Sequence, residues 1–91
     1  MKDTFQALSD PTRRAILDLL RKGPRTSGEI AERFDSAWPT ISRHLAVLKD
    51  AGLILGEREG QFIRYELNTT VFQDVLERIT AWTHSDTKNR N

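Results

Sequence analysis

The sequence predicts a mainly α domain with one small β-hairpin, in the order four helices, two strands and a closing helix. Three observations carry that expectation. Apolar residues recur at helical spacing as far as Ala51, while capping residues, Gly and Pro punctuate the segments between them. From Leu53 to Leu67 the period changes to alternation. After that, a wide apolar helical pattern returns and closes the chain.

A chain of 91 residues makes one small domain with a modest core, and such domains often gain stability by pairing. The net charge is only +1, so a signal for nucleic acid has to come from where the charges lie. Arg13, Arg14, Arg21, Lys22, Arg25 and Arg33 come early, whereas the acids Asp74, Glu77 and Asp86 come late. The absence of cysteine excludes disulfides, thiolate metal sites and thiol redox switching. No apolar run approaches membrane-spanning length, and Met1-Lys2-Asp3 leads straight into folded-looking sequence. The expectation is a cytoplasmic protein with no membrane role and no cofactor.

Residues 3–9 form a short helix with Phe5 and Leu8 on one face. Asp10-Pro11 ends it, because a residue before proline avoids helical angles. The same pair starts the second helix, with Asp10 as cap and Pro11 in the first turn. This helix, Pro11–Lys22, buries Ile16, Leu17, Leu19 and Leu20 and stops at Gly23-Pro24. Thr26-Ser27-Gly28-Glu29 opens the third as a capping box, and Ile30, Ala31 and Phe34 give it a buried side.

After the turn Asp35-Ser36 comes Ala37–Leu53, the stretch the rest of the chain serves. Ile41, Leu45, Leu48 and Ala51 make its single apolar stripe. Pro39, Thr40, Arg43, Ala46 and Asp50 lie opposite, with Ser42 on one flank and His44 and Val47 on the other. Gly52 falls where a left-handed C-terminal cap belongs, and Lys49 suits the helix dipole. Small hydrogen-bonding groups, one guanidinium and no bulky aliphatics at the exposed start fit a helix that enters a DNA major groove. An ordinary amphipathic surface helix is the alternative for the stretch alone. A short helix, a turn and this second helix together make a helix-turn-helix unit.

Leu53–Glu59 and Phe62–Leu67 read as strands joined by Gly60-Gln61, with Ile63, Tyr65 and Leu67 on the buried face. A hairpin directly after a reading helix is a wing. Arg58, Gln61 and Arg64 are its candidate contacts with phosphates or the minor groove. For the two arginines, cross-strand pairing with Glu57, Glu59 or Glu66 is the other reading. The final helix, from Asn68-Thr69-Thr70 to about Thr83, carries Val71, Phe72, Val75, Leu76, Ile79 and Trp82. With Phe5 and Leu8 these residues suggest a surface shared with a second subunit, although they could instead complete the monomer core. The domain is expected to span residues 1–84, with a flexible polar tail over 85–91.

Three strings now carry a resemblance: L-S-D-P-T-R-R-A-I-L-D-L-L (8–20), A-W-P-T-I-S-R-H-L-A-V-L-K-D-A-G-L-I (37–54) and E-G-Q-F-I-R-Y-E-L (59–67). They are similar to the ArsR-type winged helix-turn-helix repressors, and to the metal-independent branch that includes the Sdp-type autorepressors. The similarity runs from about Phe5 to Trp82. It implies a homodimer, joined through the first and last helices, that represses transcription by covering an operator, often in its own promoter. Carried over by position, the DNA-facing residues are Trp38, Pro39, Thr40, Ser42, Arg43 and His44. The wing adds Arg58, Gly60, Gln61 and Arg64. The dimer residues are Phe5, Leu8, Phe72, Val75, Leu76, Ile79 and Trp82.

The chain departs from that pattern in places. Ala37 stands where a Ser usually opens the reading helix, which shifts the expected cap to Ser36 or Asp35. Trp38 either stacks on sugar or a thymine methyl, or shields the helix start by packing on Phe34. His44 bonds either in the groove or to backbone. Arg13 and Arg14 are either phosphate clamps or partners of Asp10 or Asp18. The metal sites of sensing members do not carry over: the helix G-E-I-A-E-R-F has no cysteine, and Asp74 and His84 alone do not make a zinc site.

The leading expectation is therefore a repressor whose two reading helices, about 34–36 Å apart, enter successive major grooves of a near-palindrome. The alternative is a winged-helix protein-interaction module with little specific DNA binding, which the near-zero net charge favours. No phosphate loop, cysteine nucleophile or acid–base cluster supports an enzyme. Release has three open routes: an anti-repressor protein, a small molecule between subunits, or no ligand.

Overall fold

The computed structural model describes residues 3–89. Its elements follow the expected order with one addition: α1 (Thr4–Ala7), α2 (Pro11–Arg21), β1 (Arg25–Thr26), α3 (Ser27–Glu32), α4 (Trp38–Asp50), β2 (Ile54–Glu59), β3 (Phe62–Leu67) and α5 (Thr69–Asn89). The added strand, β1, pairs antiparallel with β3, Arg25 opposite Tyr65 and Thr26 opposite Arg64. The sheet order is β1-β3-β2, so the hairpin is anchored to the chain entering α3. Two residues, the second of them the cap of α3, give no alternation to read, which is why the sequence pattern misses this strand.

The starts of α1, α2 and α3 are held by local side-chain chemistry. Asp3 Oδ1 accepts from the N–H groups of Phe5 and Gln6 and caps α1. Asp10 caps α2 by accepting from Arg13 N–H at 3.0 Å, with Pro11 in the first turn. Thr26 and Glu29 form both halves of the expected capping box. No side chain caps α4: Ala37 occupies that position, and neither Ser36 nor Asp35 bonds the first amides. That corrects the shifted cap expected from the sequence.

The far end of α4 closes as a Schellman turn. Gly52, at φ +81°, donates to the Lys49 carbonyl at 2.9 Å, and Leu53 N–H reaches back to the Leu48 carbonyl at 3.0 Å. Leu48 and Leu53 are both fully buried, which supplies the apolar contact that accompanies this motif. The core joins Ile16, Leu17, Leu19 and Leu20 of α2 to Ile30 and to the α4 stripe Ile41, Leu45, Leu48 and Ala51. Leu53, Ile54, Tyr65 and Ala7 complete it. Ala7, rather than Phe5 or Leu8, is thus the residue that α1 buries. Gly56 lies under the Tyr65 ring, where an added Cβ would come within 3.0 Å of Tyr65 Cε1.

The closing helix continues past the expected Thr83 to Asn89. The polar tail expected over 85–91 lies partly outside the described residues, which include neither its side chains nor its last two positions. No helix among the described residues is long and apolar enough to cross a membrane.

Candidate nucleic-acid interface

The α4 stripe sets which side of that helix faces outward. Ile41, Leu45 and Leu48 are at most 2% exposed, so the opposite face is fixed by the core rather than by its own contacts. On that face Trp38, Pro39, Ser42 and Arg43 are exposed and Thr40 is half-buried. Arg43 makes no hydrogen bond or ion pair among the described residues. Its five donors are therefore available to an acceptor pair such as the major-groove edge of guanine. Trp38 is 48% exposed at the first helical position. Among the described residues the one stacked ring pair is Phe5 with Trp82, and Trp38 takes part in none.

His44 is turned away from this group. Its side chain is 15% exposed, Nε2 lies 3.9 Å from Asp10 Oδ2, and Nδ1 lies 3.3 Å from Arg13 NH1. A guanidinium can only donate, so Nδ1 accepts and a neutral ring carries its proton on Nε2, toward the carboxylate. Both ring nitrogens are thus engaged inside the subunit, and neither goes to backbone. The carboxyl of Asp10 is held below its usual range, first by the Arg13 backbone N–H and then by the nearby His44 and Arg13 side chains, against a desolvation effect that raises it.

Among the described residues neither Arg13 nor Arg14 forms an ion pair with Asp10 or Asp18; both bond backbone carbonyls. Arg13 Nε donates to the Ala7 carbonyl at 2.8 Å and NH2 to the Gln6 carbonyl at 3.2 Å. Arg14 NH1 donates to the Leu8 carbonyl at 2.8 Å. They bond carbonyls at the C-terminal end of α1, where the helix supplies few partners of its own. A helix ending at Asp10-Pro11 with arginines within the next turn was the signal for this.

In the wing, register separates the two arginines. Arg58 pairs opposite Ile63, on the face that also holds Tyr65, whereas Arg64 pairs opposite Glu57 on the outer face. Arg64 Nε lies 3.9 Å from Glu59 Oε2 with both side chains about half exposed, so the cross-strand reading holds for Arg64. Arg58 has no such partner among the described residues. Gly60, at φ +61°, and exposed Gln61 make the tip. The outer face also carries Leu55 and Phe62, 49% and 52% exposed, beside Glu57, Glu59 and Glu66.

The expected subunit surface divides in two. Leu8 and Phe72 pack against the core, as the monomer-core alternative requires. Phe5, Leu76, Ile79 and Trp82 stay 48%, 62%, 41% and 57% exposed. Phe5 and Trp82 stack at 6.4 Å between ring centres, which ties α1 to α5, and Val75 lines a shallow cleft beside Phe5. Among the described residues no three His, Cys, Asp or Glu side chains converge as metal ligands.

Similar sequences and folds occur in known regulators. A helix-turn-helix domain family matches residues 8–57. The transcriptional repressor SdpR of Bacillus subtilis is 58% identical over 76 residues, covering 84% of each chain. A probable mercury resistance operon repressor of Streptomyces lividans is 36% identical over 72 residues, which is 79% of this chain and 58% of that protein. Among solved structures, an ArsR family transcriptional regulator superposes with a TM-score of 0.81 at 36% identity, covering 88% of this chain and 82% of the other. An ArsR-like regulator from Rhodococcus gives 0.75 at 31% identity, covering 91% and 81%.

Proposed function

The chain belongs to the ArsR-type winged helix-turn-helix transcriptional repressors and resembles their Sdp-type members, and on that premise we propose that it works as a homodimer covering a near-palindromic operator. The mechanism is steric. Two copies of α4 enter successive major grooves about 34–36 Å apart, and bound protein excludes the transcription machinery. Arg43 reads a base, Thr40 and Ser42 bond phosphates or base edges, and Trp38 and Pro39 make apolar contact with sugar or a thymine methyl. Arg58, Gly60 and Gln61 follow the backbone beside the groove. Arg64 joins them by releasing Glu59, a small cost because exposed pairs contribute only about 0–1 kcal/mol. His44 serves this face from behind.

The unpaired Arg43 on the exposed start of a core-anchored helix is the observation that carries this reading. The subunits meet through Phe5, Leu76, Ile79 and Trp82, with Leu8, Phe72 and Val75 backing them. That surface supplies the two-fold pairing a groove-reading helix needs. The promoter of its own gene is the proposed target. Fluorescence anisotropy against that DNA and a scrambled duplex, at about 150 mM salt, tests the reading. Selective binding with two protomers per site supports it; equal, weak binding to both overturns the own-promoter target.

A second reading draws on the outer wing face, where three carboxylates sit beside exposed Leu55 and Phe62 and the one arginine is already paired. Such a surface repels phosphate and suits a basic partner protein, whether an anti-repressor or the main ligand of an interaction module. A protein that selects no sequence from random duplexes favours this second reading.

A further inference from the structure

We propose that Arg13 is a positioning residue for DNA reading, tying the carbonyl end of α1 to the reading helix α4 through His44. The inference rests on the operator-binding role given above and adds a device behind the reading face. All three ends of one guanidinium are used: Nε on the Ala7 carbonyl, NH2 on the Gln6 carbonyl, and NH1 on His44 Nδ1. Asp10, which caps the helix bearing Arg13, faces the other ring nitrogen of His44. A single chain of polar contacts therefore runs from α1, through the start of α2, to the middle of α4.

The surroundings give that chain its importance. Alongside it, a cleft of about 350 Å³ opens between α1 and α4, lined by Asp3, Gln6, Ala7, Arg13, Val47 and Asp50. The space beside Arg13 is thus open, and its guanidinium bridges the two helices across it by hydrogen bonds. His44 directly follows Arg43, the proposed base-reading residue, so a turn of α4 that moves the imidazole also moves that guanidinium. At its other end α1 carries Phe5, stacked on Trp82 of α5. Any shift of α1 at the subunit surface is in this way felt at the groove. Coupling of this kind needs a physical link with a defined partner at each end, which Arg13 provides.

The experiment uses the full chain and the duplex that the wild type selects from a random library. Arg13→Met, His44→Leu and the double variant are measured against that duplex and against scrambled DNA, at several salt concentrations. Sedimentation and far-ultraviolet circular dichroism monitor pairing and folding. Imidazole 15N spectra report which nitrogen of His44 carries the proton. Each single variant is expected to lose about tenfold in selectivity, a common size for coupling between sites. Scrambled-DNA affinity and salt slope stay as in the wild type, and the double variant is no worse than His44→Leu alone. The wild-type spectrum shows one tautomer with Nδ1 bare, and Arg13→Met shows an averaged ring. Arg13→Lys does not rescue, because one ammonium cannot span two carbonyls and an imidazole.

An Arg13→Met protein that weakens on both DNAs, with a salt slope shallower by about one charge, would make Arg13 a phosphate clamp and overturn the proposal. Additive losses, or unchanged selectivity beside a selective wild type, overturn it equally. Should Arg13→Met fail to fold, His44→Leu, which leaves the bonds to α1 intact, decides by the same ratio. A wild type that selects no duplex overturns the operator reading and this role together.

Discussion

Asn68 clamps the hairpin to the end of the reading helix through Gly52. Its Nδ2 donates to the Gly52 carbonyl at 3.0 Å, and its backbone N–H donates to the Leu53 carbonyl at 2.9 Å. The residue that leaves the wing is thereby bonded to the turn that ends α4. Wing and α4 are in this way tied together, although they are read from separate stretches of sequence.

Replacing Asn68 by Ala removes the side-chain bond and leaves a half-buried carbonyl short of a partner. The expected loss is about 0.5–1.5 kcal/mol of stability. A urea midpoint lowered in proportion to that loss, with faster amide exchange confined to β2, β3 and the end of α4, is the anticipated result. An unchanged midpoint would show that water replaces the amide.

Arg43→Ala is expected to weaken specific binding by about 1–3 kcal/mol and to relax preference at one base pair, while folding stays intact. Competition binding with single-base operator variants measures both effects. Retained affinity and selectivity would remove Arg43 from the reading face.

Leu76 is 62% exposed on α5, so Leu76→Glu places a charge on the proposed subunit surface without disturbing the core. Sedimentation is expected to report monomers of native helix content, and selective DNA binding falls because one groove alone is engaged. A variant that still pairs would move the interface elsewhere.

Acid weakens the helix starts. The Glu29 carboxyl is held low first by the Thr26 backbone N–H and then by the Thr26 side chain, and that of Asp10 first by the Arg13 backbone N–H; desolvation opposes both. A carboxyl whose folded value is lowered contributes stability above its unfolded value, and loses that contribution as pH falls through the folded one. Wild type should therefore lose stability steadily below the ordinary carboxylate range. Glu29→Gln and Asp10→Asn should give lower but flatter curves against pH. Parallel curves for wild type and variants would assign acid sensitivity to other groups.

Much of this was legible from spacing and caps. The α4 stripe, the Gly52 cap, the Thr26–Glu29 box and the Gly60-Gln61 turn each depend on residues close in sequence, and each stands where expected. What stayed hidden depends on partners far along the chain. Arg13 meets His44 across 31 positions, and Arg25 meets Tyr65 across the sheet, with nothing local to mark either. Ala37 misled because cap preferences presume that every helix start is capped by a side chain, and α4 leaves its own open.

Strand β1 also limits where this chain can change length. Thr26 is at once a sheet partner of Arg64 and the cap of α3, so the passage from β1 into α3 has no spare residue. A peptide tag inserted there would have to break a strand pairing and a capping box together. At Gly60-Gln61 neither partner exists, and the turn points away from the core. Length changes that spare the fold therefore belong at that tip, where the backbone has room to accept them, at the expense of the backbone contacts proposed for Gly60 and Gln61.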